Sequence, residues 1–106
     1  MNIMIGIPAY NEEKNIAILI SKLKKITDSI IVCDDGSTDL TAEIAEKMGA
    51  EVVKHERNKG YGGAIKTIFS HAGKMDADVL VTFDADGQHR IEDIEKVLGP
   101  IKNNKA

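Results

Sequence analysis

Asp84 and Asp86, in the stretch "VTFDADGQH" (81–89), set two carboxylates at the end of an apolar run. Side chains two residues apart in an extended segment point to the same side, so the pair can converge on one cation or on one ligand. Left alone, two carboxylates about 4 Å apart repel by roughly 4 kcal/mol at an effective dielectric of about 20. A divalent cation removes that cost, and oxygen donors favour hard ions, Mg2+ or Mn2+ ahead of Ca2+, which needs more ligands. Gln88 can add an amide oxygen; His89 can add a nitrogen, or hydrogen-bond to one of the ligands. An Asp-x-Asp spacing alone occurs often by chance, so its weight comes from its place at a strand end.

Such a pair needs a scaffold. Four apolar runs, "IMIGI" (3–7), "SIIVC" (29–33), "EVVKH" (51–55) and "DVLVTF" (78–83), alternate with four amphipathic segments. The first, second and fourth are nearly continuous in β-branched or large apolar residues, as strands covered on both faces should be; the third is more polar and is expected near an edge. Ile16, Leu19, Ile20, Leu23 and Ile26 recur at helical spacing, as do Leu40, Ile44, Ala45 and Met48. Ala64, Ile65, Ile68, Phe69 and Ala72 form a third stripe, and Ile91, Ile94, Val97, Leu98 and Ile101 a fourth, with Gly99 and Pro100 as a kink or stop. All of these residues are expected in the core. Strand, helix, strand in succession gives right-handed crossovers and an α/β fold: a Rossmann-like open, mainly parallel sheet with helices on both faces.

Open parallel sheets bind ligands at the carboxyl ends of their strands. There the loops read "PAYNEE" (8–13), "DDGSTD" (34–39), "ERNKGYGG" (56–63) and "DADGQH" (84–89), whereas the opposite loops are short and chemically plain. Structural roles account for part of this rim. Asn11 can cap the following helix while Glu12 and Glu13 complement its dipole, and Ser37, Thr38 or Asp39 can cap the next, with Gly36 making the turn. Asp34 and Asp35 have no capping role to fill. Gly60, Gly62 and Gly63 permit a tight turn or close packing, a weak phosphate signal by itself. With Glu12, Asp34, Asp35, Asp84 and Asp86 on one rim, and Arg57 and Lys59 the only nearby cations, bare phosphate would be repelled. The acids fit a metal-bridged diphosphate.

The 106 residues, 42% hydrophobic and 29% charged, suit one small globular domain. A net charge of −3 leaves no basic footprint for nucleic acid. No run of about 18 apolar residues occurs, and "MNIMIGIPAYNEE" lacks the basic lead and cleavage site of a signal peptide, so it reads as a first strand. The lone Cys33 excludes an internal disulfide and fits a reducing compartment; within "IIVC" it is expected to be a buried structural thiol.

In order along the chain, "IPAYNEE", "VCDDGSTD", "NKGYGGA" and "FDADGQH" resemble the motifs of the inverting family 2 glycosyltransferases with the A-type fold, and together they cover almost the whole sequence. The "DADGQH" form is most similar to the branch with dolichyl-phosphate mannose and glucose synthases. The resemblance implies that Pro8, Ala9, Tyr10 and Glu12 line a nucleotide pocket, that Asp34 accepts a hydrogen bond from the base, and that Asp35 supports the pocket. Arg57 and Lys59 would lie near the nucleotide. Asp84 would face the ribose or sugar and help hold the metal, Asp86 would ligate it directly, and Gln88 would be a further ligand. Asp84 and Asp86 are thereby the catalytic candidates, through a Mg2+ or Mn2+ that holds the diphosphate while an acceptor attacks the anomeric carbon. The implied donor is a UDP- or GDP-hexose, the implied acceptor class includes polyprenyl phosphate, and the implied location is the cytoplasm or the cytoplasmic face of a membrane. Family members continue for about as long again and place the acceptor site and any carboxylate base there. Residues 1–106 are therefore expected to be a single nucleotide-sugar-binding half-domain, without the acceptor half, that self-associates through its uncovered sheet.

Two other classes compete. A nonenzymatic nucleotide-binding or assembly module would keep the rim without turnover. A phosphoryl-transfer protein would also carry paired acids on a parallel sheet, but with its key aspartate after an early central strand, whereas the Asp-x-Asp here follows the fourth run.

Overall fold

All four apolar runs become strands because each can be buried on at least one face. In the protein's structure, a computed structural model that describes residues 2–85, they are β1 (Ile3–Ala9), β2 (Ile30–Asp34), β3 (Glu51–Lys54) and β4 (Val79–Thr82). They form one parallel sheet in the order β3-β2-β1-β4, with Ile5 opposite Ile30, Ile3 opposite Val79 and Ile31 opposite Glu51. Three helices connect them: α1 (Ile16–Leu23), α2 (Thr41–Lys47) and α3 (Gly60–Lys74). The fourth stripe, Ile91, Ile94, Val97, Leu98 and Ile101, lies outside the described residues, as do Asp86, Gln88 and His89.

Two apolar clusters sandwich the central strands. Ile3, Ile5 and Ile7 of β1, with Ile30 and Val32 of β2, pack with Ile16, Leu19, Ile20 and Leu23 of α1 and Ala45 of α2. The alternate residues Met4, Ile31 and Cys33 pack with Ala64, Ile68 and Ala72 of α3. Burial of each large side chain contributes about 1.5–3 kcal/mol, and burial on both faces explains why β1 and β2 read as continuous apolar runs. β3, with Glu51 and Lys54 exposed, is the edge its composition suggested. α3 passes close to β1 at Gly6, where a Cβ would stand 2.5 Å from Ile68 Cγ2.

The chain runs from β1 to β2 to β3 in one direction and then crosses back to place β4 on the other side of β1. Right-handed crossovers then put α1 and α2 on one face and α3 on the other, and the strand order reverses between β1 and β4. At such a reversal the strand ends diverge and a crevice opens.

Two core assignments are corrected. Leu40 is 56% exposed because α2 begins only after it, and the buried positions there are Thr41, Ala42 and Ala45. Phe69 is 59% exposed: it follows buried Ile68 by one residue, a turn of about 100° away from the sheet. Ile26 falls just beyond α1 and is half-buried against the same cluster.

Candidate functional site

The strand ends at the carboxyl rim are joined before any side chain is considered. The Asp35 N–H donates to the Ala9 carbonyl (2.8 Å), the His55 N–H to the Asp34 carbonyl (2.9 Å) and the Phe83 N–H to the Gly6 carbonyl (3.0 Å). Side chains then tie the loop after β1 to the loop after β2. Asn11, with φ 52°, accepts from the Thr38 N–H (2.9 Å) and hydroxyl (3.3 Å), and its own N–H donates to Ser37 Oγ (2.8 Å). Asn11 therefore does not cap α1, which starts at Ile16 with Asn15 in the capping position and no side-chain capping bond. Glu13 accepts from the Leu40 N–H (3.2 Å) while its N–H donates to Asp39 (3.2 Å). Asp39 also accepts from the Thr41 hydroxyl and the Thr41 N–H, the cap-like role expected of this loop. Burial opposes ionisation of Asp39, but these Thr41 and Glu13 donors outweigh it and hold the carboxyl below the ordinary aspartate range.

Asp35 is 4% exposed and connects three elements. Its Oδ1 accepts from His55 Nδ1 (2.7 Å) and the Lys59 N–H (2.8 Å), and its Oδ2 from the Gly60 N–H (2.9 Å). The two amides open α3, so this carboxylate neutralises the positive end of a helix 25 residues further along the chain. Burial pushes its affinity for a proton up; the His55 hydrogen bond and then the Lys59 and Gly60 amides reverse that, leaving the carboxyl below its usual range. His55 continues the chain of contacts: Nε2 lies 2.8 Å from Thr67 Oγ1 and 3.6 Å from Cys33 Sγ. The buried Cys33 thiol is pushed up to about 11, by burial first and then by the charges of Asp35 and Asp34, so it stays protonated at neutral pH and is no nucleophile. Gly36 lets the two loops meet: its φ is +78°, and a Cβ would stand 2.7 Å from the Asn58 amide nitrogen.

A cleft of about 170 Å³ opens beside this network. Pro8, Ala9, Tyr10 and Asp35 line it from the ends of β1 and β2, and Asn58, Gly60, Tyr61 and Ala64 from the loop before α3 and its first turns. Tyr10 and Tyr61 are 47% and 62% exposed. Of the expected pocket residues, Pro8, Ala9, Tyr10 and Asp35 come together here. Asp34 does not line this cleft. It is 2% exposed, accepts weakly from the Ser37 N–H (3.3 Å) and lines a separate opening of about 380 Å³ with Ser37, Lys54, His55 and Glu56. Glu12 also lies outside the cleft wall: its carboxylate accepts from the Asn15 amide (3.0 Å) and its N–H donates to Thr41 Oγ1 (2.9 Å). Arg57 and Lys59 are exposed on the loop that leads into α3.

Asp84 is exposed just past β4. Asp84 lies two residues beyond Thr82, the last β4 residue paired with β1 (opposite Gly6), and β1–β4 is where the strand order reverses. Of Asp84, Asp86 and Gln88, Asp84 alone falls among the described residues, and within those residues no group of three or more His, Cys, Asp or Glu is arranged to hold a metal. His55, Asn58, Tyr61 and Thr67 were not singled out from the sequence. A polar ring ending a strand on the chemically rich rim was the available signal for His55.

Residues 4–106 match the family described as Glycosyl transferase family 2. The UDP-N-acetylglucosamine–dolichyl-phosphate N-acetylglucosaminyltransferase of Methanococcus voltae is 42% identical over 120 residues, covering 96% of this chain and 48% of that protein. The dolichol-phosphate mannosyltransferase of Pyrococcus furiosus is 35% identical over 111 residues, covering 97% of this chain and 31% of the relative. Glucosyl-3-phosphoglycerate synthase from Mycobacterium tuberculosis, solved in complex with Mn2+ and UDP-glucose, superposes with a TM-score of 0.75 at 28% identity over 98% of this chain and 40% of that one. The chain thus spans less than half the length of each of these proteins.

Proposed function

The chain belongs to glycosyl transferase family 2, and on that footing we propose that residues 1–106 form one nucleotide-sugar-binding half-domain of a metal-dependent glycosyltransferase. It takes a hexose from a UDP- or GDP-sugar, and a polyprenyl phosphate is the acceptor class that best fits the relatives named for dolichyl phosphate. The observation that carries this reading is the cleft at the carboxyl rim with Pro8, Ala9, Tyr10 and Asp35 in its wall.

Each wall residue has a task. The apolar surfaces of Pro8, Ala9 and Ala64 exclude water from one side of a planar base, and the Tyr10 and Tyr61 rings offer faces for stacking. Asp35 has about four lone-pair positions and three are taken, so one remains to accept an N–H from a base. We therefore assign the base contact to Asp35, with Asp34 behind it in the second opening. Arg57 and Lys59 supply positive charge where phosphates would lie. Asp84, Asp86 and Gln88, all hard oxygen donors, would hold a Mg2+ or Mn2+, which when bound offsets diphosphate and leaving-group charge.

Titration calorimetry with UDP, GDP, UDP-glucose and GDP-mannose, each with and without Mn2+, tests the reading. Metal-dependent binding of one nucleotide series is expected, weakened at least about tenfold in Asp35→Ala by loss of a charge-assisted hydrogen bond. A chain shown to be folded that binds none of the four would overturn it.

A further inference from the structure

We propose that His55 is the positioning residue of this cleft: its Nδ1–H aims the Asp35 carboxylate at the ligand and, through it, clamps the first turn of α3 onto the end of β2. The inference rests on the nucleotide-binding reading for its affinity test and on hydrogen-bond geometry for the rest.

His55 is 9% exposed and does not line the cleft itself. A carboxylate only accepts, so the nitrogen 2.7 Å from Asp35 Oδ1 must be the one that carries a proton. That choice sets the roles at the other end of the ring. In the neutral imidazole Nε2 accepts, and the groups facing it are the Cys33 thiol at 3.6 Å and, at 2.8 Å, the Thr67 hydroxyl, whose single proton is shared between Nε2 and the Gly63 carbonyl. Thr67 lies 3.1 Å from the Gly63 carbonyl, one turn back in α3. The ring therefore spans from a residue in the cleft wall to the second turn of the helix whose first turn forms the opposite wall. Asp35 reaches the same helix directly through the Lys59 and Gly60 amides. Without His55 the carboxylate keeps those two amides, one on each oxygen, but loses its third donor and the only one from a side chain, so its orientation and that of its remaining lone pair are held less firmly.

The two isosteric amides separate this role from simple filling of space. The Asn side-chain nitrogen stands where Nδ1 stands and can still donate to Asp35; the Gln side-chain nitrogen stands nearer Nε2 and cannot. In this chain, UDP affinity with Mn2+ is expected to stay within about threefold of the parent in His55→Asn and to fall about tenfold in His55→Gln and His55→Phe. Amide hydrogen exchange at Lys59 and Gly60 is expected to quicken in the Gln and Phe variants and not in Asn; a hydrogen-bonded Nδ1 proton is expected in the NMR spectrum of the parent and should vanish on Asp35→Ala. Equal losses of affinity in Asn and Gln that track their thermal stability, or no loss in any variant, would overturn the inference. If the parent binds GDP and not UDP, GDP takes its place in the affinity test; if it binds neither nucleotide nor their sugars, the nucleotide-binding reading fails on its own and the exchange pattern at Lys59 and Gly60 decides the positioning role, equal rates in Asn and Gln being the negative result.

Discussion

Asp35 holds four backbone and side-chain relations at once: its N–H on Ala9, and its carboxylate on His55, Lys59 and Gly60. Leaving a buried donor without its acceptor costs about 1–3 kcal/mol, and the Asp35 carboxylate serves three donors. Asp35→Ala should therefore lower unfolding free energy by about 3 kcal/mol in urea titrations, in addition to its effect on binding. Acid should act through the same groups. Asp35 and Asp39 both have carboxyls held below their usual range, so the unfolded chain takes up the larger share of protons as pH falls. Their stabilisation is complete above the ordinary aspartate value of about pH 4 and is lost as pH drops through the folded-state values. The urea midpoint should hold between about pH 7 and pH 5 and fall steeply below about pH 4, with part of that slope removed in Asp39→Asn. Cys33, buried and kept protonated, should react with a thiol reagent only in urea; rapid labelling of the native chain would contradict its placement.

Between elements, two glycines set how closely parts approach. At Gly36 both the left-handed φ of +78° and the Asn58 backbone exclude a side chain, so Gly36→Ala should cost about 1–3 kcal/mol and disturb the cleft through the loop that carries Asn58. At Gly6 the neighbour is the Ile68 side chain, which can move only by disturbing a core it shares with Met4, Ile31 and Cys33. Gly6→Val should push α3 off the sheet and cost about 1–3 kcal/mol, while Ile68→Ala should cost about 2–5 kcal/mol. Denaturant unfolding of the three variants checks these figures. Nucleotide affinity separates them, since α3 carries one wall of the cleft and its displacement in Gly6→Val should weaken binding more than the cavity left by Ile68→Ala.

Across the whole molecule, Ile18, Leu40, Tyr61 and Phe69 are more than half exposed, and β3 and β4 are the outer strands of the described sheet. Self-association rising with concentration is the expected result in light scattering, and a monodisperse monomer at high concentration would count against it. The alternation of runs in residues 3–83 was enough, by itself, to determine the parallel α/β sheet, the edge position of β3, the buried Cys33 and the gathering of chemistry on one rim. Those features follow from local periodicity, because a strand buried on both faces or a helix with one buried stripe writes its environment into its own spacing. Which aspartate of the 34–35 pair enters the cleft, the cap that Asp35 gives to α3, the diversion of Asn11 from a helix cap to Thr38, and the exposure of Leu40 and Phe69 were decided only by the tertiary structure. The first three depend on where separate loops meet in space, across 20 to 27 residues in the contacts of His55, Gly60 and Thr38, and no spacing within a single segment records such a meeting; the last two turn on where α2 begins and on how α3 is rotated against the sheet.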